Sequence, residues 1–473
     1  MLALALTLTS SAWAQWSSNP MQNLPLSDIP GADQVQPKAL ALPNNSWYVS
    51  WFNNNPNDPP PQGYDVYYQM LSANGVEQLA HDGVQIAKLT LSSTQDYGLA
   101  IDAQGNALLA FLDDRNDPDN PQVTAVKMSP TGQPLWGASG IQLTNDQHFH
   151  ANPKITVTTD GGVIVAWISD SNTVVQKLSP AGKPVATTAL GNGQLVLSES
   201  GANWQLCDLH GSDNGSYIVS WVRQQGRGNR YLYAQKVSQT GQFLWGSSPV
   251  HVYDGGSLQQ GNFPYFLSDS NGGAVFAWYS ASPSLQIFAQ HVLANGTEAF
   301  GHNGAAGAIG GSDVRVSPSA SYNPSTQEVF EFWTEEDSLQ SVQGISAQKF
   351  NSSGTRQWGD GGLVIVPLGT DAQINPQNVQ IGSGALAFWV DQVVTGNGTL
   401  NAVKLDGSGN FVCSIFPVSD ALSQKIRVWA AIAPSGLATA SWQDYRNGES
   451  DIYIQNVNPD CTLGIEGGRH REK

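Results

Sequence analysis

The amino-acid sequence predicts an all-β protein in which one four-stranded antiparallel unit is repeated eight times, and three observations support this prediction. First, an aromatic residue that ends an apolar run recurs at intervals of 53 to 60 residues. Second, Gly, Asn or Ser residues that favour tight turns precede most of these anchor residues by five or six positions. Third, a glycine turn ends the run that follows most anchors. The anchor residues are Trp51, Phe111, Trp167, Trp221, Trp278, Trp333, Trp389 and Trp442.

The strands of each unit follow in a fixed order. An inner strand precedes the first turn, a second strand ends at the anchor, and a third strand ends at the glycine turn, as at Gly241, Gly296 and Gly354. An apolar residue four positions after that glycine, such as Trp245, is expected to open an outer strand. A single sheet of this kind cannot bury both of its apolar faces, whereas sheets that pack on one another around an axis can. The sequence therefore predicts an eight-bladed β-propeller.

The two ends of the repeat region predict how the ring closes. The eighth unit has no outer strand after residue 461, whereas residues 15–21 resemble residues 244–250, which are assigned to an outer strand. We therefore expect the N-terminal segment to complete the eighth blade. This closure favours one ring of eight blades over two rings of four, because a second ring would need another such junction near residue 250.

The first residues resemble a signal peptide. They are mostly apolar, and Ala12-Trp13-Ala14 has the small-x-small pattern that signal peptidase cleaves. Because no Lys or Arg precedes the apolar run, a buried first strand is the alternative. The signal peptide predicts a secreted protein, either periplasmic or extracellular. The predicted division is a signal peptide (1–14), one propeller domain (15–464) and a polar C-terminal tail (465–473).

Composition limits the possible partners. The formal net charge is −17, with 21 Lys and Arg against 38 Asp and Glu. An acidic surface repels phosphate backbones and anionic headgroups, so nucleic acid and anionic membranes are not expected as partners. No segment after the first residues is apolar over the roughly 18 positions that a membrane span requires.

Three cysteines cannot all pair within one chain, and none forms a C-x-x-C motif. Cys207 is expected to be a buried apolar residue. Cys413 takes the position of the apolar residue that follows the glycine turn of unit seven, and Cys461 takes the turn-glycine position of unit eight. A Cys413–Cys461 disulfide is therefore possible, unless adjacent blade rims lie farther apart than a disulfide allows.

Two units carry the fullest form of the repeat. Residues 442–448 read W-Q-D-Y-R-N-G and are followed by D-I-Y-I-Q at 451–455, and residues 113–117 read D-D-R-N-D. This pattern resembles the repeats of secreted bacterial β-propeller proteins, most of which have no assigned function. The resemblance covers about residues 15 to 464. It implies the architecture and an exported protein, and it implies no particular activity.

Polar residues lie near the predicted start of each inner strand, about 15 positions before the anchors. In a propeller this position surrounds the mouth of the central channel. A ring of amides there could bind a sugar or a hydrated cation, and the alternative is that these side chains only cap the turn into the strand. The residues are Gln36, Asp96, Asn152, Asn203, Asn262, Ser317, Asn375 and Lys425.

Long acidic loops between the second and third strands are expected to open on the same face, where binding residues often lie. Within them, Asp113, Asp114, Arg115, Asp444 and Arg446 are candidate ligand-binding residues. Calcium is a possible cofactor, with oxygens from Asp113, Asp114 and Asp117. The alternative is a solvated hairpin tip with local pairs, Asp114 with Arg115 and Asp444 with Arg446, each contributing under about 1 kcal/mol.

No catalytic motif is evident, because the sequence contains neither a G-x-S-x-G elbow nor H-E-x-x-H. The first functional hypothesis is an exported, non-catalytic recognition or scaffold protein that binds a glycan or an envelope or surface protein through one propeller face. The alternative is a polysaccharide-active hydrolase or lyase that uses loop carboxylates such as Asp113 and Glu335. His148, His150 and His210, near inner-strand starts, could act as acid or base, although isolated histidines are more often structural.

Overall fold

A computed structural model describes residues 15–57, 63–89, 96–186, 193–394 and 396–465. Their strands form eight antiparallel sheets, and each inner strand contacts the inner strand of the next blade around a closed ring. The eight-bladed β-propeller predicted from the repeats is therefore confirmed. The predicted signal peptide and residues 466–473 of the predicted tail lie outside the described residues.

Blades are numbered 1 to 8 in the order of their anchors. The inner strands are Asp33–Ala41, Gly98–Ile101, His150–Val157, Ala202–Gly211, Ser257–Leu258 with Phe266–Ser268, Val314–Asn323, Ala372–Ile381 and Lys425–Ile432. The second strands are Trp47–Asn54, Ala107–Asp113, Val163–Ser169, Tyr217–Gln225, Ala274–Ser282, Glu328–Glu336, Gly384–Val394 and Ala438–Asp444. The third strands are Asp65–Leu71, Gln122–Met128, Asn172–Leu178, Arg230–Val237, Gln286–Val292, Gln343–Phe350, Asn397–Leu405 and Asp451–Val457. The outer strands are Val84–Ala87, Ile141–Gln142, Gln194–Leu197, Val250–Tyr253, Ala305–Ala306, Leu363–Gly369, Phe411–Ser423 and Leu24–Ser27, and one short 3-10 turn spans Asp213–Gly215.

The hydrophobic core lies between the blades. All eight anchor side chains are at most 1% exposed. Close packing requires glycine beside some anchors: a Cβ added to Gly304, whose φ is 77°, would lie 2.7 Å from the Trp278 ring. Each second strand is buried on both faces of its sheet. The repeated apolar run of the sequence therefore corresponds to the most buried strand of each blade.

The N-terminal segment completes blade 8, as predicted. Its paired residues are Leu24, Pro25 and Ser27, which face Ile454, Tyr453 and Ile452 of the third strand. The segment predicted to pair, residues 15–21, is not the outer strand itself. This part of the prediction was wrong because residues 15–21 correspond to the stretch before an outer strand, where a tryptophan contacts the next blade.

Trp16 makes that contact. Its indole N–H donates to the carbonyl of Ala73 at 2.8 Å, and its ring lies over Gly75, where an added Cβ would be 2.5 Å away. Trp245 makes the equivalent contact with the Gly296 turn of blade 5. The apolar residue after each glycine turn therefore joins neighbouring blades and does not open the outer strand, which in blade 4 begins five residues later at Val250.

Between blades 7 and 8 this contact is covalent. Cys413 and Cys461 form a disulfide, with their Cα atoms 6.5 Å apart. Cys461 has a φ of 70°, in keeping with the turn-glycine position that it occupies. The disulfide that the sequence left possible is therefore present. Cys207 is a free thiol and 1% exposed, as expected.

Candidate functional site

Polar residues interrupt the inner strands of five blades at one equivalent position beside the channel. Each has a positive φ between 49° and 57°, and the pairing with the second strand shifts register there. Such a β-bulge adds one residue to the strand and redirects its side chain. A proline, which cannot donate to the ladder, follows four of the five. The bulge residues are Gln36, Asn152, Ser317, Asn375 and Arg427.

In blades 1 to 3 the polar groups near this position have partners within the protein. Asp96, two residues before the inner strand of blade 2, accepts a hydrogen bond from Lys38 Nζ at 2.6 Å and forms a second ion pair with Lys154. The two lysine side chains are 9% and 5% exposed. The Asn152 amide donates to the carbonyl of Leu206 at 2.9 Å. We call this group the closed sector: Gln36, Lys38, Asp96, Asn152 and Lys154.

Charge balance stabilises the closed sector. Burial would raise the pKa of Asp96, but Lys38 and Lys154 hold it well below its usual range. Burial would likewise lower the pKa of Lys154, but the Asp96 carboxylate outweighs this effect and raises it. Burial and repulsion by the charge of Lys154 both lower the pKa of Lys38, and the attraction of Asp96 only partly offsets them. One carboxylate thus neutralises part of the charge of two buried ammonium groups.

The inner strand of blade 5 is interrupted by a loop that reaches across the channel. Its two pieces leave residues 259–265 off the sheet. The Tyr265 hydroxyl donates to Asp96 of blade 2 at 2.9 Å, and its ring contacts Trp429 of blade 8 at a centroid distance of 6.4 Å. Blade 5 is three places from both blades in a ring of eight, so these contacts cross the channel. We call residues 259–265 the plug.

Arg230 of blade 4 fixes the base of the plug. Its guanidinium donates to Gln260 Oε1 at 3.3 Å and to the carbonyl of Asn262 at 3.4 Å, and it lies over the Phe263 ring at 5.3 Å. The Asn262 side chain donates back to the carbonyl of Tyr279 at 3.4 Å. The plug is therefore held at both ends, by Arg230 at its base and by Asp96 at its tip.

Blades 6 to 8 differ from this arrangement. Ser317, Asn375 and Arg427 are exposed, and within the described residues their side chains make no hydrogen bond or ion pair. We call these three residues the open sector. It presents one hydroxyl, one amide and the five N–H donors of a guanidinium at the channel.

Five of the eight residues predicted to ring the channel lie at the bulge or its equivalent: Gln36, Asp96, Asn152, Ser317 and Asn375. Asn203 lies earlier in its strand, exposed opposite Gln224, and Asn262 lies on the plug. Lys425 is fully buried and donates to the carbonyl of Gly398 at 3.1 Å and to Ser423 Oγ at 2.7 Å, so it is not available to a ligand. Burial lowers its pKa to about 8.

The carboxylates of the predicted loop sites have partners. Asp113 accepts from Arg115 Nε at 2.7 Å and is 7% exposed, whereas Asp114 is 1% exposed. Asp117 Oδ1 accepts the backbone N–H of Asp119 at 3.1 Å. Because Asp113 already binds Arg115, any calcium there would compete with that ion pair. Calcium binding by Asp113, Asp114 and Asp117 remains a prediction.

Asp444 is the centre of a buried network in blade 8. It is fully buried and accepts hydrogen bonds from Arg446 Nη2 at 2.6 Å and from Trp442 Nε1 at 2.8 Å. Burial would raise the pKa of Asp444, but Arg446 and Lys425 keep it lowered. The predicted Asp444–Arg446 pair therefore exists, but it lies inside the blade and not at a solvated tip.

The residues considered for catalysis also have partners. Glu335 is 8% exposed and accepts from Arg315 Nε at 3.0 Å and from Trp333 Nε1 at 2.6 Å. Each of the three histidines contacts a carboxylate: His148 with Asp170 at 2.7 Å, His150 with Asp146 at 3.0 Å and His210 with Asp208 at 3.0 Å. Each of these candidate acids and bases therefore already has a partner within the protein.

Among the described residues, Asp28, His81 and Asp82 form a group of metal-capable side chains whose ligand atoms lie within 4.8 Å of one another. His81 Nε2 lies 3.1 Å from Asp28, and its Nδ1 lies 3.1 Å from both oxygens of Glu77. These carboxylates raise the pKa of His81 to about 10, which makes the group an ion-paired contact between blades 8 and 1.

Sequence reasoning missed Arg427 and Tyr265. Arg427 lies 15 residues before Trp442, so the spacing of the other units would have found it. The recurring x-Pro pairs also mark the bulges, as in Gln36-Pro37 and Asn375-Pro376. Nothing in the spacing of the anchors signals the plug, because the interval that contains it has a normal length.

No family model and no curated protein matches the chain. Among solved structures, the Dos1 propeller is 10% identical with a TM-score of 0.50, and the match covers 92% of this chain and 95% of that one. Polysaccharide lyase Uly1 is 11% identical with a TM-score of 0.42, over 92% and 91% of the two chains. A protein of unknown function from Dyadobacter fermentans is 14% identical with a TM-score of 0.41, over 80% and 96%. At 10% identity the likeness to the Dos1 propeller shows the β-propeller fold and nothing about activity.

Among the described residues, no helix has the length and apolar character needed to span a membrane.

Proposed function

We propose that this propeller is an exported, non-catalytic recognition protein that binds a glycan at the open sector of its channel. The main observation behind the proposal is that equivalent positions around one ring differ in whether their polar side chains have partners. In the closed sector Asp96 binds Lys38 and Lys154, and the Asn152 amide binds a backbone carbonyl, whereas the side chains of Ser317, Asn375 and Arg427 have no partner among the described residues and face solvent. Exposed hydroxyl, amide and guanidinium groups match the hydrogen-bonding groups of a sugar.

The rigidity of the scaffold supports binding. The bulges fix these side chains on strands of a closed ring, and the plug supplies a floor in which Tyr265 is 50% exposed. An aromatic ring beside polar side chains gives an apolar surface on which the face of a sugar can stack. A preorganised site loses less conformational entropy when the ligand binds.

The disulfide supports the proposed export. Disulfides persist in oxidising compartments and are rare in the cytosol, and the Cys413–Cys461 bond joins two blades. Together with the predicted signal peptide at residues 1–14, it favours a periplasmic or extracellular protein. The bacterial origin suggested by the repeat pattern remains part of this proposal.

The carboxylate contacts favour binding over hydrolysis or lysis of a polysaccharide. Asp113 and Glu335, the carboxylates considered as acid and base, each bind an arginine. A general acid or base must be free to exchange a proton with the substrate, and these ion pairs oppose that exchange.

The test is a glycan array probed with the protein beginning at Gln15, followed by calorimetry with each glycan that binds. We expect binding that the double variant Ser317→Ala/Asn375→Ala weakens by about tenfold, since each lost hydrogen bond contributes about 0.5–1.5 kcal/mol. Asn203→Ala is the matched control, because Asn203 is an exposed amide at an inner-strand start outside the open sector. Absence of binding to every glycan, or equal loss in the control variant, would reject the proposal, and capture of a surface protein would replace it.

A further inference from the structure

We infer that the open sector recognises an acidic sugar and that Arg427 binds its carboxylate. This inference rests on the proposed glycan-binding function and specifies the class of ligand. It starts from the pairing of arginines. Within the described residues, the side chains of Arg227 and Arg427 have no hydrogen-bond, ion-pair or aromatic partner, whereas the others do: Arg115, Arg223, Arg230, Arg315, Arg356 and Arg446.

The position of Arg427 is unusual for a long side chain. Its φ is 56°, in the left-handed region that disfavours residues other than Gly, Asn and Asp. Asparagine occupies the equivalent bulge at Asn152 and Asn375. Gln36, the other long side chain at this bulge, is half-buried in the closed sector, whereas Arg427 adopts the same backbone conformation with an exposed side chain that has no partner among the described residues. Residues in such conformations are concentrated at functional sites.

Within the described residues, no ion pair balances the positive charge of Arg427. Lys425 and Arg446, two cations of the same blade, both contact the buried carboxylate of Asp444, which is therefore already shared. Arg427 is exposed beside the channel, and no carboxylate of the described residues forms an ion pair with it. An anionic group on a ligand would supply the missing partner.

The neighbouring groups indicate that the anionic group belongs to a sugar. Trp429 lies two residues along the same strand, and its indole N–H donates to the carbonyl of Ala39 at 2.9 Å, which fixes the ring. Tyr265 contacts that ring from across the channel. Lys38 Nζ lies over the Trp429 ring at 5.2 Å and Lys154 Nζ lies over the Tyr265 ring at 4.7 Å, so a sugar would stack on the ring faces that the lysines leave uncovered. Asn375 and Ser317 of blades 7 and 6 would add hydroxyl-binding groups.

A carboxylate fits this site better than a densely charged group. The planar guanidinium matches the two oxygens of a carboxylate with a pair of parallel hydrogen bonds. The net charge of −17 repels polyanions such as sulfated chains, because one arginine cannot offset many negative charges. The expected ligand is therefore a uronic-acid residue within a glycan.

The test compares two disaccharides that differ at one carbon: cellobiose and cellobiouronic acid, in which C6 of the non-reducing glucose is oxidised to a carboxylate. Calorimetry at 50 mM and 300 mM salt measures both with the wild type, Arg427→Asn, Arg427→Lys and the control Arg227→Gln. Arg427→Asn places in blade 8 the residue that blades 3 and 7 already have at this bulge, so the variant should fold.

We expect the wild type to bind cellobiouronic acid at least about tenfold more tightly than cellobiose, because the carboxylate adds charge-assisted hydrogen bonds to Arg427. Arg427→Asn should abolish this preference, Arg427→Lys should restore part of it, and Arg227→Gln should leave it unchanged. Higher salt should reduce it. Equal affinity for the two sugars, no binding of cellobiouronic acid, or a preference that survives Arg427→Asn would overturn the inference. In each case binding of some other glycan on the array through Ser317 and Asn375 would leave the proposed function standing.

Discussion

The closed and open sectors occupy equivalent positions of one repeated unit, yet they use their polar groups in opposite ways. In the closed sector, Asp96 joins Lys38 and Lys154 around the channel and also holds Tyr265 of the plug. In the open sector, three exposed side chains have no partner among the described residues. The repeat therefore determines where a polar residue stands, and the neighbouring blades determine whether it stabilises the fold or remains available to a ligand.

The two sectors are also joined differently. Blades 1 to 3 are linked by ion pairs beside the channel, whereas blades 7 and 8 are linked near the outer strands by the Cys413–Cys461 bond. A covalent bond at the perimeter holds the blades together without using any polar group of the channel. This arrangement leaves the open sector rigid and unoccupied by internal contacts.

The largest expected effect comes from removing the disulfide. The variant Cys413→Ala/Cys461→Gly, which restores a turn glycine, should lower the free energy of unfolding by about 4 kcal/mol, because the bond closes a separation of 48 residues. Guanidinium unfolding followed by hydrogen exchange should locate the loss in blades 7 and 8. Reducing agent should destabilise the wild type and leave the variant unchanged, and equal sensitivity of both would contradict this prediction.

Loss of the shared carboxylate should be nearly as large. Asp96→Asn leaves Lys38 and Lys154 buried without a full counter-charge, which should lower the free energy of unfolding by about 3 kcal/mol in chemical denaturation. The matched change in the open sector, Asn375→Ala, should alter it by less than about 0.5 kcal/mol. Similar values for the two variants would remove the distinction between the sectors.

The same carboxylate predicts a pH dependence. Since the pKa of Asp96 is lowered in the folded protein, its contribution is present above the unfolded value of 3.8 and is lost as the pH falls below it. Thermal unfolding between pH 3 and pH 6 should therefore show a steeper loss of Tm at low pH in the wild type than in Asp96→Asn. Parallel curves would show that Asp96 is not ion-paired in solution.

Glu331 of blade 6, outside the closed sector, is expected to show a smaller effect. It is fully buried, neither carboxylate oxygen has a hydrogen-bond partner among the described residues, and burial raises its pKa well above the usual value. The stability that depends on its protonation is full below pH 4.5 and is lost as the pH rises toward the folded pKa. Glu331→Gln should raise Tm by roughly 1–3 °C at pH 8 and by less at pH 5. An equal change at both values would contradict the raised pKa.

The smallest effect concerns the tip of the plug. Tyr265→Phe removes the hydroxyl that binds Asp96 but keeps the ring on Trp429, so it should cost about 1 kcal/mol. Hydrogen exchange of residues 259–266 should accelerate in Tyr265→Phe and remain slow around residues 372–381. Unchanged exchange in the plug would mean that the hydroxyl does not hold it in place.

Much of the fold could be predicted because it is periodic. Recurrent anchors such as Trp221 and Trp442 mark the middle strand of each sheet, and the missing outer strand of the last unit predicted that the N-terminus completes blade 8. The same alignment placed Cys413 and Cys461 at positions that face each other across two blades. Spacing of this kind is local information, since each unit buries its apolar faces against its neighbours in the same way.

The partners of the channel residues were decided by the tertiary structure. Counting back from the anchors reached Gln36, Asp96 and Asn375, but it gave no sign that Asp96 would meet Tyr265, 169 residues away. That contact exists because closing the ring brings blades 2 and 5 across one narrow axis. Periodicity sets the positions within each blade, and only the closed ring sets which side chains meet across the channel and which three stay exposed.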